Sequence, residues 1–302
     1  MTLSRYRFGI DLGGTKIEIA ALDSSGNIVL RERTPTPKQD YAATIRSIVG
    51  LVATAEAQLA ASGSIGIAIP GTLSSRSGVV KNANSTWLNG RPLNTDLEMA
   101  LERPVRLAND ANCFALSEAA DGAAAGANVV FGVILGTGVG GGLVVRGGLV
   151  GGAHDIAGEW GHNPLPAARG GEIPGPSCYC GRQGCIETFL SGPALEASYA
   201  QRSGEYQPAT VIAQRAKAGE TLALAILDQH QDRLARALGT VINLLDPDCI
   251  VLGGGLSNLE SLYSGLPERV MAYACMPETV PLIRRNRHGD SSGVRGAAWL
   301  WP

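Results

Sequence analysis

Four side chains between positions 162 and 185 have the types and the spacing of a metal site. His162, Cys178, Cys180 and Cys185 read H-x15-C-x-C-x4-C. Three thiolates and one imidazole fill the tetrahedral shell of Zn²⁺ and leave no position open, so the expected role is structural. Free thiols or a redox pair are the alternative. The glycines between Cys180 and Cys185 allow the tight turn that such a loop needs.

Three predicted strand ends run into glycine turns: DLGGTK at 11–16, LGTGVGGG at 135–142 and LGGG at 252–255. Phosphate groups need converging backbone N–H donors, and glycine lets the backbone come close to them. Asp11 adds a carboxylate for hydrated Mg²⁺, and Lys16 a cation for a phosphate. Neither a Walker nor a Rossmann motif is present, because no turn matches GxxxxGK[ST] and the second turn enters a strand.

Each of these turns alone is more often an ordinary hairpin turn, but three at strand ends in one chain favour a nucleotide site. We therefore expect ATP, with Mg²⁺, to bind at residues of all three turns. The predicted residues are Asp11, Gly13, Gly14, Thr15, Lys16, Gly136, Thr137, Gly138, Gly253, Gly254 and Gly255.

Asp110, in the run Leu-Ala-Asn-Asp-Ala-Asn, is the candidate catalytic base. It follows a predicted strand and opens a predicted helix, which is where reactive groups collect in α/β folds. If the phosphoryl group of ATP passes to an alcohol, a group must accept the hydroxyl proton. The alternative is that Asp110 only caps the helix that follows it.

The elements that must position these residues alternate between strands and helices, as in an α/β fold. Strands are predicted at 6–12, 16–23, 28–34, 64–71, 104–110, 129–150 (two strands and a turn) and 249–255, and helices at 41–62, 94–102, 111–126, within 189–246 and at the C-terminus. FGIDLGGT (8–15) aligns without a gap with FGVILGTG (131–138), which favours an internal duplication of two α/β halves.

Composition excludes several classes of protein. The formal net charge of −2 gives no electrostatic reason to bind nucleic acid or an anionic membrane. No run of 18 uncharged apolar residues and no secretory signal are present, so a cytoplasmic location is expected. Glycine accounts for 40 of 302 residues, about 13% against an average of about 7%. So much glycine indicates many sharp turns or close approaches to ligands.

With these motifs in place, the chain resembles the ROK family of bacterial sugar kinases, and most closely its zinc-containing fructokinase branch. The three glycine turns are similar to the phosphate-1, phosphate-2 and adenosine segments of the hexokinase–actin–Hsp70 fold. The resemblance covers nearly the whole chain and includes the CxCGxxGCxE pattern around the cysteines. It implies two ribonuclease H-like (actin-like ATPase) α/β lobes with mixed sheets and an interlobe cleft.

The resemblance also implies a division of the chain and a set of sugar contacts. We expect a small lobe from 1–112 plus 289–302 and a large lobe from 113–288, with the zinc loop at about 159–187. A homodimer is common in the family. The residues expected to hold the sugar are Gly71, Asn84, Asn109, Asp110, Glu159, His162 and Glu187. Taken without the family, Asn84 is an ordinary polar turn residue and the two glutamates are solvated charges.

These observations predict direct, in-line transfer of the terminal phosphoryl group of ATP to a free hexose. D-Fructose, giving fructose 6-phosphate, is the expected substrate, and glucokinase, mannokinase or N-acetylhexosamine kinase are the alternatives. Some family members are instead sugar-responsive transcription regulators, which we disfavour because DLGGT begins at residue 11 and leaves no room for a preceding DNA-binding domain. An actin-like filament or chaperone protein is disfavoured by the cysteine motif and by Glu159-Trp-Gly-His162.

Overall fold

Strands and helices alternate along the chain in the computed structural model, which describes residues 5–275, 278–279 and 281–302. The strands are β1 Tyr6–Leu12, β2 Lys16–Leu22, β3 Ile28–Pro35, β4 Gly63–Ile69, β5 Thr72–Leu73, β6 Val80–Lys81, β7 Val105–Asn109, β8 Val129–Leu135, β9 Val139–Val145, β10 Gly148–Leu149, β11 Cys249–Gly253 and β12 Ile283–Arg285. The helices are α1 Tyr41–Leu59, α2 Leu93–Leu101, α3 Asp110–Ala120, α4 Glu187–Leu190, α5 Gly192–Ser203, α6 Ala209–Lys217, α7 Thr221–Leu245, α8 Leu266–Met271 and α9 Ser292–Ala298.

The chain divides into two units, each with its own sheet. The first unit comprises residues through Ala125, with 147–157 and 288–302 added; the second comprises 126–146 and 158–287. The boundary predicted after residue 112 falls inside α3, and that helix packs against α9 of the first unit. The segment 147–157 joins the first unit through backbone carbonyls, since Thr72 Oγ1 donates to Asp155 O at 3.1 Å.

The sheet of the first unit is mixed and has the strand order β3-β2-β1-β4-β7. β2 is antiparallel to β1 and β3, whereas β4 runs parallel to β1 and β7. Asp11 is in register with Ala68, and Ile69 with Asn109. The carboxyl ends of these three parallel strands therefore lie side by side, which brings their predicted site residues to one edge of the sheet.

Both faces of this sheet are covered by helices. On one face lies α1, which is capped by Asp40, whose carboxylate accepts from the Ala43 N–H at 2.8 Å. This helix buries Ile48, Val52 and Ala55. On the other face lies α9. A side chain at Gly9 or Gly66 would overlap the backbone of α9, so glycine is required for the helix to approach this closely.

The sheet of the second unit repeats the arrangement of the first. Its strands lie in the order β9-β8-β11-β12, with β8 antiparallel to β9 and parallel to β11. β1 pairs in the same way with β2 and β4, so the duplication predicted from the matching octapeptides has a structural counterpart. The core of this unit packs α7, whose buried residues are mostly apolar, against the sheet and against α5, α6 and α8.

Most predicted elements are present, with differences at their ends. The helix predicted at 111–126 begins at Asp110 and ends at Ala120, because Asp121 leaves the helical conformation. The short strands β5, β6, β10 and β12 were not predicted. Within the described ranges, no helix is long and apolar enough to span a membrane.

Candidate active site

The first glycine turn, between β1 and β2, is fixed by hydrogen bonds within the turn and from Thr36, which lies after β3. Gly13 N–H donates to Lys16 O at 3.1 Å, which closes the turn. The Thr36 hydroxyl donates to Gly13 O at 2.7 Å, and its N–H to Thr15 O at 3.0 Å. Gly14, Thr15 and Lys16 are exposed. The turn is therefore rigid and accessible, as a phosphate-binding turn must be.

Asp11 lies in an acidic setting beside this turn. Burial, together with the charges of Asp110 and Glu18, raises the pKa of its carboxyl to about 6. A hydrated divalent cation would relieve this repulsion, so the donor set fits Mg²⁺ carried by ATP. The Lys16 ammonium lies 3.3 Å from Glu18, a buried carboxylate that also binds Arg31 and Arg33 at 2.6 Å. Lys16 thus belongs to a cationic cluster organised by Glu18.

Asn109 and Asp110 stand at the junction of β7 and α3. The Asn109 side chain caps α3, accepting from Ala111 N–H at 2.9 Å, and its amide donates to Gly71 O at 3.0 Å. Ala111 N–H also donates to Asp110 Oδ1 at 2.8 Å. The Asp110 carboxylate is accessible to solvent, but desolvation by the surrounding protein raises its pKa. A raised pKa improves the match of a carboxylate base to neutral pH.

The loop that carries Asn84 is fixed by a residue that sequence analysis missed. The Asn89 side chain accepts from Ala83 N–H at 2.9 Å and donates to Ala83 O at 3.0 Å. Ala83 is buried, whereas Asn84 is exposed. The structure thus holds the backbone immediately before Asn84 and leaves its side chain free of the core. No local sequence signal marks Asn89, because its partner lies six residues away in an irregular loop.

In the second unit, Glu187 lies against the second glycine turn. Its Oε2 accepts from Val139 N–H at 2.9 Å. A Cβ at Gly138 would lie 2.6 Å from the same oxygen, so a larger residue there would displace the Glu187 carboxylate. Gly192 N–H donates to Gly136 O at 2.8 Å on the other side of the turn. The predicted sugar ligand Glu187 therefore also supports the turn predicted to bind phosphate.

Glu159 immediately precedes a 3-10 turn, Trp160–His162, that packs on β9. The Trp160 indole N–H donates to Gly140 O at 2.9 Å, and its ring meets Phe131 edge-on at 5.7 Å between centroids. A side chain at Gly161 would overlap Val139 O. Glu159 itself is exposed, on a turn whose position relative to β9 is fixed.

The four predicted metal ligands come together. One donor atom each from His162, Cys178, Cys180 and Cys185 lies within 4.8 Å of the others. Arg182 N–H lowers the pKa of the Cys180 thiol to about 6, whereas burial and the adjacent thiols raise the pKa of Cys185 to about 12. Neighbouring thiolates repel, so a cation is needed for all three to ionise together. The donor set fits a structural Zn²⁺, which stays a prediction.

His162 has two neighbours in this loop. Its Nδ1 lies 3.5 Å from Cys178 Sγ, and its Nε2 lies 2.9 Å from the Tyr179 hydroxyl. The tyrosine thus orients the ring toward the cysteines, as an outer partner of a metal-bound histidine does. The sugar contact that was also predicted for His162 stays a prediction.

The second and third glycine turns meet at one cavity in the second unit. Gly254 has φ +80°, and a side chain there would overlap Leu135 O at the end of β8. The cavity measures about 430 Å³ and is lined by Gly136, Thr137 and Gly255. Sequence analysis missed its other lining residues: Gly192, Pro193, Glu196, Pro208, Ala209, Thr210, Leu256 and Leu259. Its size and partly apolar lining suit a nucleoside.

The mixed sheets, their duplicated strand–turn–strand units and the glycine turns define the actin-like ATPase class of two-lobed proteins. A structure of a ROK hexokinase from Thermus thermophilus superposes with a TM-score of 0.86 at 32% identity, covering 97% of both chains. A ROK glucokinase from Streptomyces griseus, solved with glucose and AMPPNP, superposes with a TM-score of 0.78 at 26% identity, covering 98% of both.

Sequence comparison assigns the family. The ROK family pattern matches residues 7–302, and the chain belongs to that family. An N-acetyl-D-glucosamine kinase from Pectobacterium atrosepticum is 44% identical over 297 residues, which cover 97% of this chain and 98% of the relative. The protein is therefore a sugar kinase that phosphorylates a hexose.

Proposed function

We propose that this protein transfers the terminal phosphoryl group of ATP to N-acetyl-D-glucosamine. The observation that carries the proposal is the 44% identity, over nearly the full length of both chains, to a kinase of that sugar. Several other N-acetyl-D-glucosamine kinases are 42–44% identical over the same length. These relatives favour the N-acetylhexosamine alternative over D-fructose, the substrate expected from local sequence stretches.

In the proposed mechanism, Asp110 accepts the proton of the attacking sugar hydroxyl. Its position at the start of α3, its access to solvent and its raised pKa support this role. The proposed contacts of the sugar hydroxyls are Asn84, Asn109, the Gly71 backbone, Glu159 and Glu187. Transfer is direct, so no phosphoenzyme forms.

ATP binding is assigned to the three glycine turns, with adenosine in the 430 Å³ cavity. Mg²⁺ brought with ATP would lie near Asp11 and neutralise phosphate charge. Zn²⁺, held by His162, Cys178, Cys180 and Cys185, would fix the loop between Glu159 and Glu187 and take no part in the chemistry.

A coupled assay of ADP release tests the proposal. Zinc-loaded protein with Mg-ATP is given N-acetyl-D-glucosamine, D-fructose, D-mannose and D-glucose, and kcat/KM is compared. We expect the acetylated sugar to lead by at least about tenfold. A lead for fructose would contradict the substrate assignment while leaving the sugar-kinase assignment in place. No sugar-dependent ADP release from any of the four would contradict the activity itself.

A further inference from the structure

Ser85 is a buried polar residue without an assigned task. Its relative exposure is only 5%. It stands where a serine would cap the 3-10 turn Thr86–Leu88, yet its hydroxyl makes no capping bond. Nor does the hydroxyl form a hydrogen bond with any other residue that the structure describes. The rest of the residue is enclosed, but the hydroxyl oxygen itself keeps access to solvent. The hydroxyl is therefore free to donate to a ligand that reaches it from outside the protein.

The direction of the Ser85 side chain shows where that partner would bind. A Cβ built on Gly14 would meet a single atom within 4 Å, the Ser85 hydroxyl oxygen at 3.8 Å. Gly14 is the exposed middle of the first glycine turn, which is held by Thr36. The hydroxyl therefore faces the turn proposed to bind phosphate, from the side of the loop proposed to bind sugar.

The loop around Ser85 is stiff enough to aim this hydroxyl. Asn89 holds Ala83 through two hydrogen bonds, and Leu88 N–H donates to Ser85 O at 3.0 Å. Leu88 itself is fully buried. Ser85 thus sits on a fixed backbone, next in sequence to Asn84.

We infer that the Ser85 hydroxyl donates a hydrogen bond to the phosphoryl group as it moves from ATP to the sugar. This inference rests on the proposed function. In the transfer, a bond forms between the sugar oxygen and phosphorus while the bond to the bridging oxygen of ADP breaks, and the sugar proton goes to Asp110. A donor between the sugar loop and the phosphate turn contacts the moving group, whose oxygens carry the charge.

Kinetics of Ser85→Ala in the full-length, zinc-loaded enzyme test the inference. We expect kcat to fall about 10- to 100-fold, the value of one hydrogen bond to a charged group. The Kd of the sugar, measured by calorimetry without nucleotide, and the Tm should stay unchanged. Thr86→Ala removes the exposed hydroxyl of the next residue and should keep wild-type kcat.

Two results would overturn the inference. One is a kcat within about twofold of wild type. The other is weaker binding of the sugar with kcat unchanged, which would indicate that the Ser85 hydroxyl contacts the sugar instead. If Ser85→Ala lowers Tm, Ser85→Cys decides, because the thiol has nearly the same shape but is a weak donor. An undiminished kcat in Ser85→Cys would then refute the role. Failure of the proposed function is separate, since the wild-type enzyme would then show no sugar-dependent ADP release.

Discussion

Glu172 connects the loop before the cysteine cluster to α7, and its replacement by glutamine should lower the free energy of unfolding. The carboxylate is buried and binds Arg233 and Arg236 at 2.8 Å. Arg236 is itself buried and donates to Pro166 O and Ala167 O. Burial alone would raise the pKa of Glu172, but the hydrogen bonds from Arg236 and Arg233 outweigh it and lower the pKa to about 2.

The size of the effect follows from that pKa. A glutamate in water has an ordinary pKa of 4.5, so a folded pKa of about 2 corresponds to about 3 kcal/mol of stability at neutral pH. Glu172→Gln also removes the carboxylate that pairs with Arg233 and one of the two that pair with Arg236, which keeps Asp232 at 3.1 Å. Breaking a buried ion pair costs about 3–5 kcal/mol. We therefore expect the free energy of unfolding to fall by about 3 kcal/mol.

Urea denaturation of zinc-loaded wild type and Glu172→Gln at several pH values measures this difference. A depressed folded pKa gives stability that is complete above about pH 4.5 and is lost as pH falls toward 2. The difference should therefore be constant from pH 8 to pH 5 and shrink below that. Glu205→Gln, at an exposed partner of Arg215, is the control and should cost less than about 1 kcal/mol. A loss below about 1 kcal/mol in Glu172→Gln, or a difference that declines between pH 8 and 5, would refute the reasoning.

Three further changes test the site. Asp110→Asn should lower kcat by about 10²- to 10⁴-fold with little change in sugar Kd, and near-normal turnover would contradict the role of Asp110 as base. Because desolvation raises the pKa of Asp110, wild-type kcat should fall on acidification at a higher pH than it would with an ordinary aspartate. The Cys180→Ser protein, stripped of zinc, should bind both sugar and ATP more weakly, because Glu187 accepts a hydrogen bond from Val139 N–H in the second glycine turn. Calorimetry with each ligand measures the two affinities, and an unchanged ATP affinity would contradict this prediction. Asn89→Ala should raise the sugar KM about five- to tenfold and leave the ATP KM unaltered, since each lost hydrogen bond is worth about 1 kcal/mol. Equal shifts in both KM values would indicate that the variant is destabilised as a whole and would contradict the prediction.

The features predicted correctly from the sequence are those whose signal lies within a short stretch of chain. The alternation in β1 and β8 and the glycines after them mark the strand ends directly. The four predicted metal ligands lie within one short stretch of chain, and the structure brings their donor atoms together. Period and spacing suffice in such cases, because each signal is contained in one element or one loop.

The contacts that the sequence did not predict join residues distant in the chain. Ser85 faces Gly14, and Glu187 binds Val139 across 48 positions. Nothing in either local sequence indicates these pairs, because packing of the whole unit decides them. Strand β12 was missed for a different reason: its residues, Ile-Arg-Arg, show no apolar alternation and are mostly exposed. The choice among hexoses was likewise out of reach, since it depends on pocket shape.

Each of the two duplicated glycine turns has a carboxylate beside it, but the two carboxylates come from different parts of the chain. In the first unit, the strand itself supplies Asp11; the aligned position in the second unit is Ile134, which cannot bind a cation or accept a hydrogen bond. There a carboxylate comes instead from Glu187, which follows the last cysteine of the metal cluster by two residues and accepts from Val139 N–H. Glu187 opens the short helix α4, but the chain before it, from 163 to 186, is largely irregular and rich in glycine and proline, so little regular structure fixes the start of that helix. A closed metal site next to Glu187 would supply that rigidity. Through Glu187, the cysteine cluster would then hold the second glycine turn as well as the proposed sugar contact.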